Sequence, residues 1–424
     1  MTEAAMMAWL GSIPYTRRTP GLHRIGHLLR FMGEPQHKLK FIHVAGTNGK
    51  GSTCAMTASI LRAAGYRTGM FISPYIVEFR ERMQINGQMI PVETLCALAE
   101  QIRPEYDRMM REGEGPSEFE VVTAMGLSWF AAERCDVVVL EVGMGGLLDA
   151  TNIIDTPLAS VICTLDYDHT QILGETLPQI AAHKAGIIKE NGLTVSYPQP
   201  PEVREVIART AADKHNVCVF ADPGEIRVLR QELSGTELLF DGESYHLPLL
   251  GDHQVRNAAT VLTLFRALTQ TGRLCVTPDV IRQGLAAVAF PVRLEIVGRA
   301  PVILLDGAHN PSGIEALCAA VRKYLPGGPR IAVVGMMWDK DYETAVAPMA
   351  KLFSRILTVT PDSPRALPAP ELAAVFRSMG DKAEACVSPV AALSEARRMA
   401  GCDGAVVVCG SLYLASELRR YIVI

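Results

Sequence analysis

The stretch FIHVAGTNGKGS, Phe41 to Ser52, admits few folds. Phe41, Ile42, Val44 and Ala45 suit a short buried strand. Gly46, Gly49 and Gly51 interrupt it, and Cys54 to Ala64 reads as a helix. A strand, a glycine-rich turn with one lysine and a helix start make a phosphate cradle. Glycines let backbone N–H groups turn toward an anion, and the helix dipole favours negative charge there. On this reading Gly46, Thr47, Asn48, Gly49, Lys50 and Gly51 wrap nucleotide phosphates, with Lys50 reaching the terminal ones. The hydroxyl of Ser52 or Thr53 would face a Mg²⁺. The spacing differs from Gly-x₄-Gly-Lys-Ser/Thr, because Gly51 separates Lys50 from Ser52. The competing reading is an ordinary loop.

The rest of the chain suits a soluble enzyme. At 424 residues it should form two or three domains. A net charge of −4 carries no nucleic-acid signature, and no apolar run is long enough to span a membrane. The start, MTEAAMMAWLGSIP, holds an acid and no basic region, so it does not read as a secretory signal. The ten cysteines lie scattered, several in apolar runs, and are expected to be buried and reduced in a cytoplasmic protein.

Residues 1–40 read as amphipathic helices with a turn at Pro20-Gly21, and with His23, Arg24, His27 and Arg30 mostly on a solvated face. Met70 to Ile72 reads as a strand ending at Ser73-Pro74, where a parallel sheet would offer Ser73 to a metal or phosphate. Arg80 and Arg82 flank Glu81, either as a solvated charged run or as an anion clamp. Ser117 and Glu120 are spaced for a helix cap. Val137 to Leu140 is a buried parallel strand ending at Glu141, a natural second Mg²⁺ ligand beside the phosphate loop. Ala159 to Leu165 ends at Asp166-Tyr167-Asp168-His169. Residues 193–250 read as a β-rich flank. A second strand–helix alternation, with strands near 302–305, 331–334, 356–359 and 405–408, places Asp306, His309 and Ser411 at strand ends on a crevice edge. It lacks G-x-G-x-x-G, so a dinucleotide is not favoured.

These motifs, in this order, resemble the folylpolyglutamate synthase/dihydrofolate synthase branch of the Mur ligase superfamily. The resemblance rests on GTNGKGS, SPY…FRERMQING, EVGMGGLLDATN, Asp168-His169, HKAGIIK, GDHQVRN and PVRLE. It departs at Leu147, where the family usually has Arg, at His183, usually Glu, and at Val292, usually Gly.

The resemblance implies an α/β protein: a P-loop-type parallel-sheet ATPase domain over 1–297 and a smaller Rossmann-like domain over 298–424. It implies ATP-dependent addition of L-glutamate to a folate, or to dihydropteroate, through an acyl phosphate. Ser52, Ser73, Glu141 and His169 would surround Mg²⁺ and a second cation. Lys184 would be carbamylated; the alternative is a surface lysine. Asn257, Arg293 and Asp306 would hold ATP, the alternative for Asn257 being a plain helix start. Arg82, His309 and Ser411 would hold glutamate, and Lys50, Lys184, Asp306 and His309 are the catalytic candidates. A monomer whose two domains close over the substrates, and stand apart without them, is expected. The alternative enzyme is a Mur-type ligase acting on a cell-wall precursor; a nucleotide-binding switch is a different class.

Overall fold

The computed structural model describes residues 1–14, 21–325, 327–380 and 382–423. Pro20 of the expected turn lies outside them. Helices α1 (Glu3–Ser12) and α2 (His23–Phe31) come first. Arg24 is not on the solvated face: it is buried, 3.2 Å from the equally buried Glu120.

The first sheet is built from β1 (Phe41–Ala45), β2 (Thr68–Phe71), β3 (Met83–Ile85), β4 (Gln88–Met89), β5 (Val137–Glu141), β6 (Ala159–Ile162), β7 (Leu193–Ser196) and β8 (Val217–Phe220). Among the described residues these eight strands run in the order β4-β3-β2-β5-β1-β6-β7-β8. The six strands from β2 to β8 in that order are parallel, and β3 and β4 form an antiparallel edge. The β-branched runs of β1 and β5 are fully buried, as a sheet covered on both faces requires. The covering helices are α3 (Lys50–Ala63), α4 (Val92–Arg111), α5 (Glu118–Ala132), α6 (Thr170–Leu173), α7 (Leu177–Ala185) and α8 (Pro201–Asp213). The helix after the glycine turn starts at Lys50, four residues before the composition alone indicated. Ser117 and Glu120 do cap α5 reciprocally.

The flank at 193–250 divides. β7 and β8 extend the large sheet, whereas β9 (Ile226–Glu232), β10 (Gly235–Phe240) and β11 (Glu243–Leu247) form a separate antiparallel sheet. Helices α9 (Asp252–Gln270) and α10 (Pro278–Ala286) follow.

The second sheet takes β12 (Glu295–Arg299), β13 (Val302–Leu305), β14 (Arg330–Val334), β15 (Arg355–Thr358), β16 (Ala383–Ala385) and β17 (Ala405–Cys409), in the order β12-β13-β17-β14-β15-β16. All pairs are parallel except β12 with β13. The division expected between 297 and 298 falls inside β12. Helices α11 (Pro311–Tyr324), α12 (Tyr342–Val346), α13 (Ala369–Ser378), α14 (Pro389–Ala400) and α15 (Leu412–Val423) complete the domain.

The cysteines are all free thiols, but not all are buried: Cys275 and Cys402 are exposed, and Cys218 and Cys386 half-buried. Among the described residues no helix is long and apolar enough to cross a membrane.

Candidate active site at the domain junction

The phosphate loop joins β1 to α3, and its glycines answer to close neighbours. Gly49 has φ +84°, and a Cβ there would stand 2.8 Å from Asn257 Oδ1. A Cβ on Gly51 would stand 2.6 Å from the Phe290 ring. Thr47 is tied to the end of β6: its N–H donates to the Thr164 carbonyl at 2.9 Å and its hydroxyl to the Asp166 carbonyl at 3.0 Å. Lys50 is the first residue of α3, and its ammonium curls back to the carbonyls of Gly46 and Thr47, 3.1 and 3.2 Å away.

Three helices converge on this loop. From α7, Lys184 is buried and donates to the Gly46 carbonyl at 2.9 Å, so it is not a surface lysine. Burial first, and the nearby Lys50 second, push its pKa down to about 7. From α9, the Gln254 amide donates to Ser52 Oγ at 3.0 Å and accepts from the Asn257 amide at 3.1 Å. Gln254 was not among the sequence candidates; its place three residues before Asn257, on one helical face, was the available signal. From α11, Asn310 and Ser312 bond to Asn48 across the junction.

Glu141 ends β5 fully buried, one oxygen accepting the Ser73 N–H at 3.1 Å. Burial lifts its pKa to about 7, although Lys50 opposes the rise. A desolvated carboxylate beside a hydroxyl and a phosphate cradle is a donor set that suits a hard cation such as Mg²⁺. Among the described residues no three His, Cys, Asp or Glu side chains gather closely enough to hold a metal by themselves. Phosphate oxygens and water would therefore have to complete the shell. His169 stands at φ +50°, with Nε2 3.6 Å from Asp168 Oδ2. Burial raises the Asp168 pKa, but His169 and Lys340 together carry it below the usual value. Lys340 comes from the loop after β14, and its ammonium lies 3.5 Å from Asp168. The two domains touch at this cleft.

Asp306 and His309 follow β13. Both Asp306 oxygens are taken by backbone N–H groups, of Leu294 at 2.8 Å and Ala308 at 2.7 Å. Its pKa is raised by burial, against the pull of Arg293. His309 Nδ1 donates to the Gly307 carbonyl at 2.9 Å, and burial pushes its pKa down to about 4. Its Nε2 is therefore an unprotonated acceptor at neutral pH. Arg293 lies over the Phe290 ring, and Ser411 Oγ accepts the Leu414 N–H at 3.2 Å at the start of α15.

Arg82 pairs with the first residue of α5. It is buried, 3.3 Å from Glu118 and stacked on Tyr75 and Phe79, so the solvated-run reading is excluded. Among the described residues its Nε has no hydrogen-bond partner.

A phosphate loop facing a second sheet domain that carries buried polar groups is the layout of a Mur ligase. Residues 44–265 match the Mur ligase middle domain and residues 292–412 the Mur ligase glutamate ligase domain. The chain is 35% identical to folylpolyglutamate synthase of Lacticaseibacillus casei, over 99% of this chain and 98% of that one. It is 34% identical to dihydrofolate synthase/folylpolyglutamate synthase of Bacillus subtilis, over 95% and 94%. Its fold is similar to that of Mycobacterium tuberculosis folylpolyglutamate synthase complexed with ADP and AMPPCP, with a TM-score of 0.90, 31% identity and 99% of both chains covered. The chain belongs to the folylpolyglutamate synthase/dihydrofolate synthase family of Mur ligases.

Proposed function

We propose that this protein is an ATP-dependent ligase that joins L-glutamate to a folate carboxylate. The supporting observation is the junction itself: a phosphate loop, a buried carboxylate and a buried lysine on one domain face Asp306 and His309 on the other. A carboxylate is a poor electrophile at neutral pH. Transfer of the γ-phosphoryl makes an acyl phosphate with a good leaving group, and the glutamate amine then displaces it. Most of the catalysis is positioning and charge neutralisation.

Lys50, with the loop amides, neutralises the transferring phosphoryl. Asn257, Arg293 and Asp306 hold ATP. Ser52, Ser73, Glu141 and His169 would hold Mg²⁺ and a second cation, directly or through water, and the bound cations would supply positive charge against the phosphates. Lys184 acts as a carbamate: its low pKa leaves much of the amine uncharged and able to attack CO₂. Arg82, His309 and Ser411 hold the glutamate. The neutral His309 Nε2 is suited to accept a proton from the ammonium of the incoming amino acid. We place the domain junction in the linker 289–294, before β12.

The Bacillus subtilis relative carries both activities in its name, which supports dihydropteroate as a second acceptor here. A cytoplasmic monomer is the form we propose; ten free thiols suit a reducing compartment. ADP release, measured with ATP, Mg²⁺ and glutamate plus tetrahydrofolate or dihydropteroate, tests the reading. Release that depends on both glutamate and a pteridine acceptor supports it. ADP release only with a cell-wall precursor would assign the Mur-type reaction, and release without any acceptor would assign a nucleotide switch.

A further inference from the structure

The phosphate loop has one side chain that faces away from its own domain. Asn48 donates from Nδ2 to Ser312 Oγ at 3.0 Å, and its Oδ1 accepts from Asn310 Nδ2 at 3.3 Å. A carboxamide offers one acceptor oxygen and one donor nitrogen, and here both are spent across the domain junction. Asn310 in turn caps α11, its Oδ1 accepting the Gly313 N–H at 2.9 Å. The residue before Asn48 is fixed on the other side, since Thr47 is bonded to the end of β6. Two consecutive loop residues therefore hold the two domains, one each.

Neither Asn310 nor Ser312 is needed for the fold of the loop, which its glycines and Lys50 already close. Their bonds make the loop's conformation and the domain arrangement depend on one another. A ligand that prefers one loop conformation must then prefer one domain arrangement by the same free energy. We propose that Asn48, Asn310 and Ser312 form a clasp that couples the phosphate loop to the second domain, with Asn310 and Ser312 as positioning residues for ligation. The proposal rests on the reading that both domains serve one reaction. Through the clasp, the site for the amine is set at the distance that the loaded phosphate loop dictates. The ion pair between Lys340 and Asp168, 3.5 Å apart, spans the same cleft by a different route and keeps the domains associated when the clasp is cut.

The test uses the two exposed thiols, Cys275 in the first domain and Cys402 in the second, labelled with a donor and an acceptor dye in a Cys218→Ser, Cys386→Ser background. Energy transfer reports the domain arrangement with saturating non-hydrolysable ATP analogue, without any need for turnover. In Ser312→Ala the transfer distribution should broaden and kcat should fall about tenfold, the scale of one lost hydrogen bond, while the analogue's Kd moves less than about twofold. Asn48→Ala, which cuts both bonds, should broaden it at least as much, and the double variant no further than Asn48→Ala alone, because both changes cut the same clasp. Ser312→Thr, which keeps the hydroxyl, should restore the narrow distribution. An unchanged distribution in Ser312→Ala, or effects that multiply in the double variant, would overturn the clasp. Failure of the wild-type chain to release ADP with glutamate and a folate would instead overturn the functional reading, and the energy-transfer measurement would still decide the clasp.

Discussion

Lys184 Nζ sits 2.9 Å from the carbonyl oxygen of Gly46, so the helix α7 is bonded to the first residue of the phosphate loop. That one contact brings a lysine 138 positions away in the chain into a cleft that already holds Lys50. The charges in this cleft are poorly solvated, and they govern how the protein should respond to pH and substitution.

Glu141 is the clearest case. Its folded pKa is about 7, above the ordinary carboxylate value of 4.5, with burial the main cause. The folded chain therefore holds a proton that the unfolded chain has lost, and stability falls as pH rises from 4.5 to 7. Glu141→Gln keeps the shape without the charge. The metal-free variant should be more stable than wild type above pH 7, by on the order of 1–3 kcal/mol, and ligation should be lost. Thermal melts at pH 5 and pH 8 check this. An equal difference from wild type at both pH values would show that Glu141 is not the titrating group.

Arg82 has a structural role beside the glutamate-binding role proposed for it, and one variant cannot separate them. Arg82→Ala removes the partner of Glu118, a carboxylate whose pKa is already raised by burial, and should destabilise the fold by about 3 kcal/mol. Adding Glu118→Gln should recover most of that loss. The KM for glutamate should stay high in the double variant, with the KM for ATP much less affected. Recovery of both KM values along with stability would remove Arg82 from the glutamate site.

How much of this was legible in the chain depended on range. The FIHVAGTNGKGS stretch carries its own strand, turn and helix start, so the loop and its burial follow from local spacing. The β-branched run ending in Glu141 likewise placed a carboxylate at a strand end. Arg24 was misplaced because helical spacing cannot show that Glu120, 96 residues on, waits to pair with it. Gln254 carries only a weak local signal, its place one helical turn before Asn257, and nothing local marks Ser312 as the neighbour of Asn48; the packing of α9 and α11 onto the loop decides both. The three-stranded sheet β9–β11 split from the main sheet for the same reason, since strand partners are set by long-range contacts.

Val292 shows a departure in sequence becoming a physical consequence. The position stands at φ +56°, a left-handed conformation that suits glycine and strains a β-branched residue. Val292 is nevertheless fully buried in the second domain's core. Relief of about 1–3 kcal/mol of backbone strain should offset much of the lost burial in Val292→Gly. That variant should cost less than about 1 kcal/mol, whereas Val333→Ala in the same core should cost 2 or more, roughly as for other buried methyl deletions. Chemical denaturation of the two variants compares them directly. A Val292→Gly loss as large as that of Val333→Ala would mean the strain is not felt.

Lys184 gives the most specific expectation. Its folded pKa is about 7 against an ordinary 10.5, burial being the larger cause and Lys50 the next. Between pH 7 and 10.5 the unfolded chain binds a proton that the folded chain does not, so stability should rise with pH across that window. The same depression leaves a large fraction of the amine neutral at physiological pH. The Nζ lone pair can then attack CO₂, and the displaced proton passes to solvent, leaving a carbamate anion. At about 4 Å and an effective dielectric near 20, replacing a cation beside Lys50 with an anion reverses a term of roughly 4 kcal/mol. In CO₂-free buffer the stability slope should be present, and Lys184→Met should abolish it. With ¹³C-bicarbonate at pH 7.5, wild type should show one slowly exchanging carbamate resonance that Lys184→Met lacks. Lys184→Ala should be nearly inactive and partly rescued by small carboxylic acids, which can stand in for the carbamate. A fully active Lys184→Ala enzyme, or a bicarbonate spectrum identical in wild type and Lys184→Met, would leave the carbamate without support and return Lys184 to a purely structural role beneath the phosphate loop.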